Sequence, residues 1–171
     1  MLPVKYYQFN TILDEKPMTY TQPPPLAKEE IESFLKNYPI AHISTHNRDG
    51  TIHSAPVWFL YKDNTFIIGS PAASRKVRNL KGNRNATILI DNPETAVGVL
   101  VYGEAELDFG YGFDEAAEMY EKYMSHEQAM NFARNMSRES KGGGVKITVK
   151  PNKIITFDTR KDEFLRLMAE K

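Results

Sequence analysis

The chain has 171 residues, balances 22 lysines and arginines against 22 aspartates and glutamates, and contains no cysteine. This length predicts one domain with a substantial core. Zero net charge argues against a general nucleic-acid-binding protein, and the lack of cysteine excludes disulfides, thiolate metal sites and a cysteine nucleophile. No stretch approaches the ~18 continuous apolar residues of a membrane span, and no basic-then-apolar leader opens the sequence. We therefore expect a cytoplasmic protein.

Residues 1–27 are predicted to form an extended N-terminal arm, and residues 28–171 a single domain. Three prolines at 23–25 predict a stiff connector between the two. The arm carries several aromatic residues, which indicate a segment that packs on its own domain or on a partner subunit, with a frayed end as the alternative: Tyr6, Tyr7, Phe9 and Tyr20.

The first elements of the domain are predicted from periodicity and turn residues. Apolar residues at helical spacing predict a helix over 28–37. Two β-rich runs, 40–45 and 51–61, follow, and the Asp-Gly pair between them is a strong hairpin signal. Pro56 cannot donate to a sheet ladder, so we expect a sheet edge or a bulge at that position.

The later elements are mostly strands, interrupted by helices. Strands are predicted at 65–69, 86–91 and 97–107, with Gly98 and Gly103 as points of bending or close approach. A helix after the small-residue loop at 70–74 has Val77 and Leu80 as its core face. Two more helices are predicted within 113–140, the second with a capping box of Ser125 and Gln128. The chain then forms a closing hairpin with a turn at Pro151-Asn152 and a short amphipathic helix carrying Phe164, Leu167 and Met168.

About seven short strands with one helical insertion predict a mainly β protein with some α structure (α+β), an antiparallel β-barrel with flanking helices. A barrel of this size fills its interior with its own side chains. A large ligand is therefore expected on the outside of the barrel or between two barrels.

Cations are concentrated directly after the loop Gly-Ser-Pro-Ala-Ala-Ser at 69–74. No carboxylate occurs between Asp63 and Asp91, whereas five cations do: Arg75, Lys76, Arg78, Lys81 and Arg84. Backbone N–H groups at a helix start favour a phosphate, and nearby hydroxyls and cationic side chains strengthen that preference. The pattern predicts a phosphate clamp beside a sheet edge, with a solvated helix start as the alternative. We interpret Arg78 and Lys81 as surface charge, and Asn79 as either surface or cofactor contact.

Other kinds of site find less support in the sequence. His42, His46 and His53 have no carboxylate partner at metal-ligand spacing, so we interpret them as structural residues. No nucleophile elbow is present. A single-stranded nucleic-acid site would need aromatic residues among the cations of 75–84, and that stretch has none.

The order of three segments, TIHSAPVWF, SRKVRNL and VYGEAEL, resembles the pyridoxamine 5'-phosphate oxidase-like, FMN-binding split-barrel family. The resemblance covers roughly residues 28–107. It implies an antiparallel split barrel and a homodimer with one FMN in each of two clefts between the barrels. It also implies three groups of cofactor-binding residues: Ser74, Arg75 and Lys76 at the phosphate; Gly69 and Ser70 near the phosphate and ribityl chain; Pro56, Val57 and Trp58 along the isoalloxazine edge.

The same resemblance implies an FMN-dependent oxidoreductase, although the sequence shows no recognisable catalytic acid or base. In the oxidase proper, an Arg is expected where Pro56 stands, a Gln near Gly98, and a C-terminal Trp with an Arg-Leu-x-Pro motif. Trp58 is the single tryptophan here, and it is equally interpreted as core or dimer interface. The substrate therefore stays unassigned. A non-catalytic flavin carrier or sensor, and a deazaflavin- or haem-binding protein, are the alternatives.

Overall fold

A computed structural model describes residues 25–92, 94–95, 97–110, 113–139 and 143–162. Its helices and strands, in chain order, are α1 Lys28–Asn37, β1 Ile40–His46, β2 Ile52–Trp58, β3 Leu60–Lys62, β4 Thr65–Pro71, α2 Arg75–Gly82, β5 Asn85–Asn92, β6 Val97–Asp108, α3 Phe113–Tyr120, α4 His126–Glu139 and β7 Gly144–Asp158.

The seven strands form one antiparallel sheet in the order β2-β1-β5-β6-β7-β4-β3. β2 and β4 also contact each other, so the sheet curls into a half-barrel. This architecture confirms the predicted antiparallel split barrel with flanking helices. Among the described residues, no helix is long and apolar enough to cross a membrane.

The β1–β2 hairpin forms where the Asp-Gly pair predicted it. Gly50 has φ +86°, a left-handed conformation that glycine adopts without steric cost. The N–H of Asn47 donates to the carbonyl of Thr51 at 2.8 Å. Asp49 Oδ1 accepts from the N–H and the hydroxyl of Thr51, at 3.0 and 2.6 Å. Pro56 lies in β2, at the edge of the sheet, which confirms one of the two predicted positions.

The apolar run 51–61 was predicted as one strand, and the structure breaks it at Phe59. The Tyr123 hydroxyl accepts from the Phe59 N–H at 2.7 Å and donates to the Phe59 carbonyl at 2.8 Å. A side chain from the segment between α3 and α4 thus satisfies both backbone groups that a neighbouring strand would otherwise pair. After this break, β3 begins a new hairpin with β4.

The prediction of a closing hairpin around Pro151-Asn152 is wrong. The structure has a single strand, β7, that pairs with β6 along its length and with β4 over its first half. Pro151 faces Gly103 and Lys153 faces Tyr102, which leaves Asn152 as the extra residue of a β-bulge. The residues that suggested a turn therefore kink the strand without reversing it.

Two clusters of buried side chains form the core. The larger one fills the half-barrel and includes Phe59 and Phe66 from the sheet, Leu35 from α1, and the predicted Val77 and Leu80 from α2. The smaller one joins α3 and α4 to the end of β2. It buries Ala117, Met119, Ala129 and Ala133, and half-buried Trp58 packs against it.

Several other predictions can be compared with the described residues. α1 has its predicted bounds, and the capping box before α4 is present: Gln128 Oε1 accepts from the N–H and the hydroxyl of Ser125, both at 3.1 Å. At the end of the arm, Leu26 is buried and its N–H donates to Thr156 Oγ1 at 2.8 Å. Residues 1–24 and the predicted C-terminal helix lie outside the described residues.

Candidate functional site

The end of β4 and the start of α2 bring two serine hydroxyls together. Ser70 is the penultimate residue of β4, and Ser74 is the N-cap of α2. Their hydroxyl oxygens lie 2.9 Å apart, and Ser74 Oγ also accepts from the Val77 N–H at 3.4 Å. The Ser74 N–H donates to the Pro71 carbonyl at 3.0 Å, which closes a tight loop between strand and helix. The loop therefore presents hydroxyl groups at the positive end of a helix dipole.

Two cations follow this loop directly. Lys76 is half-buried, and burial lowers the pKa of its ammonium because desolvation disfavours the charged form. Neither Lys76 nor exposed Arg75 makes a hydrogen bond or a close ion pair with any residue of the described ranges. A half-buried ammonium without an anionic partner is suited to receive one from a ligand. Arg78 and Lys81 are exposed, as predicted, and Lys81 lies over the Phe109 ring at 4.7 Å.

A groove of about 580 Å³ adjoins the start of α2. Arg75 forms one wall, and the β1–β2 turn with the first part of β2 forms the other, through Asn47, Arg48, Asp49 and His53. Sequence reasoning did not include Arg48, and it assigned His53 only a structural role. The predicted hairpin could have indicated both residues, because its turn must lie close to the helix that packs beside β1.

Asn79 is neither a surface residue nor an evident cofactor contact. It is buried in α2, and its Nδ2 donates to Thr45 Oγ1 at 3.1 Å and to Asn47 Oδ1 at 2.9 Å. The amide therefore links the helix that carries Arg75 and Lys76 to the hairpin that carries the opposite wall of the groove.

The predicted ring-binding strand, β2, is an edge strand that pairs only with β1 among the described strands. His53 lies at its groove end, and Trp58 lies at the other end against the helical cluster. Five residue steps separate them, about 17 Å at the usual rise of ~3.3 Å per residue. The strand thus leads from the cationic groove towards an aromatic region.

The individual residues of the predicted ring site differ in exposure. Pro56 is exposed, whereas the Val57 side chain is buried in the half-barrel, so its contribution to a ligand is limited to backbone groups. Trp58 is half-buried and stacks on Tyr123, with ring centroids 4.7 Å apart and planes at 15°. The Gly69 N–H donates to Met119 Sδ at 3.3 Å and is therefore engaged by the chain itself.

The chemistry of the donor set fits a phosphate ester with a planar ring. A phosphate favours charge-assisted hydrogen bonds from a guanidinium, an ammonium and hydroxyls, and Arg75, Lys76, Ser70 and Ser74 supply these groups. A ring with polar edges favours an extended strand with unpaired backbone groups, and the outer edge of β2 supplies it.

A larger cavity lies elsewhere. It has a volume of about 1040 Å³ between α1 and β3, with Leu35, Leu60, Tyr61 and Lys122 among its lining residues. The Lys122 ammonium donates to the carbonyls of Leu35 and Tyr38 at 2.8 and 3.1 Å, and burial lowers its pKa to about 8. This lysine caps the C-terminal end of α1. The cavity contains none of the predicted cofactor residues, so we place the candidate site at the smaller groove.

Fold and site together define a class: a small antiparallel half-barrel with an anion-compatible loop beside an open strand edge. The family model described as pyridoxamine 5'-phosphate oxidase matches residues 27–154, which is most of the chain. The chain therefore belongs to the pyridoxamine 5'-phosphate oxidase family. None of the curated proteins compared with the chain matches it.

Solved structures share the fold at low sequence identity. A conserved hypothetical protein, Rv2991 from Mycobacterium tuberculosis, is similar with a TM-score of 0.69 and 19% identity, over 84% of this chain and 92% of its own. An F420 reductase matches with a TM-score of 0.55 and 22% identity, over 72% and 94%. A pyridoxamine 5'-phosphate oxidase-related, FMN-binding protein from Nostoc punctiforme matches with a TM-score of 0.57 and 15% identity, over 79% and 86%.

Proposed function

We propose that this chain is an FMN-binding flavoprotein, an oxidoreductase of its family whose substrate is unassigned. The observation that carries the proposal is the set of donors at the start of α2. Two serine hydroxyls lie 2.9 Å apart at the end of β4 and the start of α2, a half-buried ammonium and an exposed guanidinium follow them in the chain, and the guanidinium lines the groove that β2 borders. The similarity to the Nostoc punctiforme protein, which is described as FMN-binding, supports FMN as the cofactor.

In this proposal the chain's own residues bind and orient the cofactor. Ser70, Ser74, Arg75 and Lys76 hold the phosphate. The backbone of β2 from Pro56 to Trp58 lies along the ring, with Gly69 near the ribityl chain. Bound flavin supplies the hydride or electron chemistry, and the protein supplies orientation and a dry environment at the ring edge.

A second copy of the chain completes the proposed cleft. The outer face of the sheet exposes three large apolar side chains: Ile40 by 39%, Ile52 by 57% and Tyr102 by 43%. The strand register places all three on the same face, across β1, β2 and β6. Exposed apolar side chains on a face next to the cofactor edge support a homodimer with the flavin at the subunit interface.

The first experiment identifies the bound molecule. We expect purified protein to absorb near ~450 nm and to release a ligand with the mass of FMN. A Soret band would show haem, and the mass of a deazaflavin or of FAD would show a different flavin in the same groove. Either result, or a colourless protein that does not bind added FMN, would contradict the proposal.

The second experiment tests the phosphate site. Replacing both Arg75 and Lys76 with alanine should weaken FMN binding by about a hundredfold or more while the chain stays folded, because each charge-assisted bond contributes roughly 1.5–3 kcal/mol. Fluorescence titration measures the affinity. Arg78→Ala is the matched control, since Arg78 is exposed on the same helix outside the groove. Equal FMN affinity in the double variant and the control would refute the phosphate assignment.

Turnover is tested separately from binding. An oxidoreductase should reduce its bound flavin with reduced nicotinamide faster than free FMN is reduced under the same conditions. Reduction no faster than that of free FMN, in a protein that binds FMN tightly, would favour the carrier or sensor.

A further inference from the structure

The groove beside α2 has a second cationic wall that the Ser-Arg-Lys segment does not include. Arg48 lies in the β1–β2 turn and lines the groove together with Arg75 and His53. Arg48 is exposed, and within the described part of the chain it makes no hydrogen bond or ion pair. Two guanidinium groups therefore border one groove from two different elements, without a protein carboxylate bound to either.

Asp49 is the acidic residue of the same groove, and one of its carboxylate oxygens is engaged by the turn. Its Oδ1 is occupied by the N–H and hydroxyl of Thr51, and these two hydrogen bonds are the main reasons that its pKa is lowered. Arg75 adds a weaker electrostatic contribution. The carboxylate thus serves the turn, and the two arginines stay available to a ligand.

The distance between the two walls is set by a buried amide. Asn79 Nδ2 donates to Thr45 on β1 and to Asn47, the residue directly before Arg48. Both acceptors belong to the hairpin, and the donor belongs to α2. Few buried side chains could replace this bridge, because it needs two donor hydrogens from one nitrogen within a small volume.

We infer that Arg48 is a further phosphate-binding residue, and that Asn79 is a positioning residue that holds Arg48 across the groove from Arg75. The inference rests on the proposed flavin-binding function. It adds a contact from 26 residues before Ser74 and gives the buried amide a role in cofactor selection. In this arrangement the phosphate is held between α2 and the hairpin, whereas the ring is held by β2.

A comparison of FMN with riboflavin tests the inference, because the two ligands share a ring and differ in the phosphate. Arg48→Ala should lower the affinity for FMN about tenfold, the size expected for one charge-assisted contact, and leave riboflavin affinity unchanged. Asn79→Ala should also lower FMN affinity selectively. Asn85→Ala is the matched control, since Asn85 is exposed at the start of β5 and outside the groove.

A double-mutant cycle separates positioning from general stability. If Asn79 acts through Arg48, the double variant should lose little more FMN affinity than Arg48→Ala alone. A purely structural role would lower FMN and riboflavin affinity together and would add to the effect of Arg48→Ala. Should Asn79→Ala fail to fold, Asn47→Ala removes one acceptor on the hairpin and leaves the amide bound to Thr45.

Three outcomes support or overturn the inference about Arg48 and Asn79. A selective loss of FMN affinity in Arg48→Ala with a non-additive double variant supports the inference. Wild-type protein that binds FMN, with an unchanged FMN-to-riboflavin ratio in Arg48→Ala, overturns the inference and leaves the proposed function intact. Wild-type protein that binds neither flavin overturns both.

Discussion

At the scale of single residues, two side chains form hydrogen bonds to backbone groups that another backbone segment would normally pair. The Tyr123 hydroxyl forms both hydrogen bonds that a strand neighbour would give Phe59, and burial raises the pKa of this phenol to about 12, opposed by the backbone bond. Lys122, the preceding residue, caps α1. Two adjacent side chains thus attach the helical insertion to the half-barrel.

Tyr123→Phe should destabilise the protein by about 2 kcal/mol, because it leaves two partly buried backbone groups without partners. Urea denaturation measures the difference. Tyr120→Phe is the control, since Tyr120 is buried and its hydroxyl has no hydrogen bond among the described contacts. Equal stability of the two variants would show that water replaces the Tyr123 hydroxyl.

The Tyr123 hydroxyl also predicts a pH dependence. Its pKa is about 12 in the folded chain against 10.0 for a free tyrosine, so the unfolded state loses this proton first. The stability that the neutral phenol contributes should be complete below pH 10 and should be lost as the pH rises towards 12. Denaturation at pH 9 and pH 11 should show a smaller decrease in Tyr123→Phe than in wild type, and parallel decreases would exclude this source.

At the scale of elements, the sequence predicted most strands and helices but assigned two boundaries wrongly. The same residue types occur in turns and in β-bulges, so Pro151-Asn152 suggested a hairpin turn although β7 continues through it. The break at Phe59 depends on a tyrosine 64 residues later, which periodicity cannot detect. The candidate site differs in the same way: the Ser-Arg-Lys segment stays a prediction from local sequence, whereas the groove position of Arg48 and the contacts of Asn79 depend on segments far apart in the chain.

The two glycines of β6 that were predicted as close-approach points are confirmed. A Cβ on Gly103 would lie 2.3 Å from the Lys150 carbonyl oxygen, and one on Gly98 would lie 2.1 Å from Cζ of Phe157. Gly103→Ala should destabilise by about 3 kcal/mol, because backbone must move, and Gly98→Ala by about 1–2 kcal/mol, because the half-buried Phe157 ring can turn.

Gly82→Ala is the control for this series. No atom lies within 4 Å of an added Cβ there, so the change should be neutral or stabilising by about 0.5 kcal/mol. Thermal or urea denaturation measures the order of stability of the three variants. A Gly98 variant less stable than the Gly103 variant would show that the ring is held more rigidly than the strand.

At the scale of the whole molecule, the two faces of the curled sheet differ. The inner face is filled by the larger core, whereas the outer face of β2, β1, β5 and β6 carries exposed Ile40, Ile52 and Tyr102. The proposed flavin lies along the edge where these faces meet. Cofactor binding and subunit association are therefore expected to depend on each other.

Ile52→Glu should convert the proposed dimer to a monomer and lower FMN affinity, because a carboxylate would be buried in an apolar interface. Sedimentation velocity and flavin titration measure the two effects. Ser33→Glu, at an exposed position of α1, is the control with the same added charge. A dimer that survives Ile52→Glu would exclude this face, and a wild-type monomer that binds FMN would refute the intersubunit cleft.

The position of β7 has a consequence for biogenesis. This strand is synthesised after all the others, yet it lies inside the sheet, between β6 and β4. Until the ribosome has released it, the β3–β4 hairpin lacks the partner that joins it to the remaining strands. Two sheet edges therefore stay unpaired until β7 has emerged from the ribosome, which delays folding of the sheet and favours aggregation as a competing process.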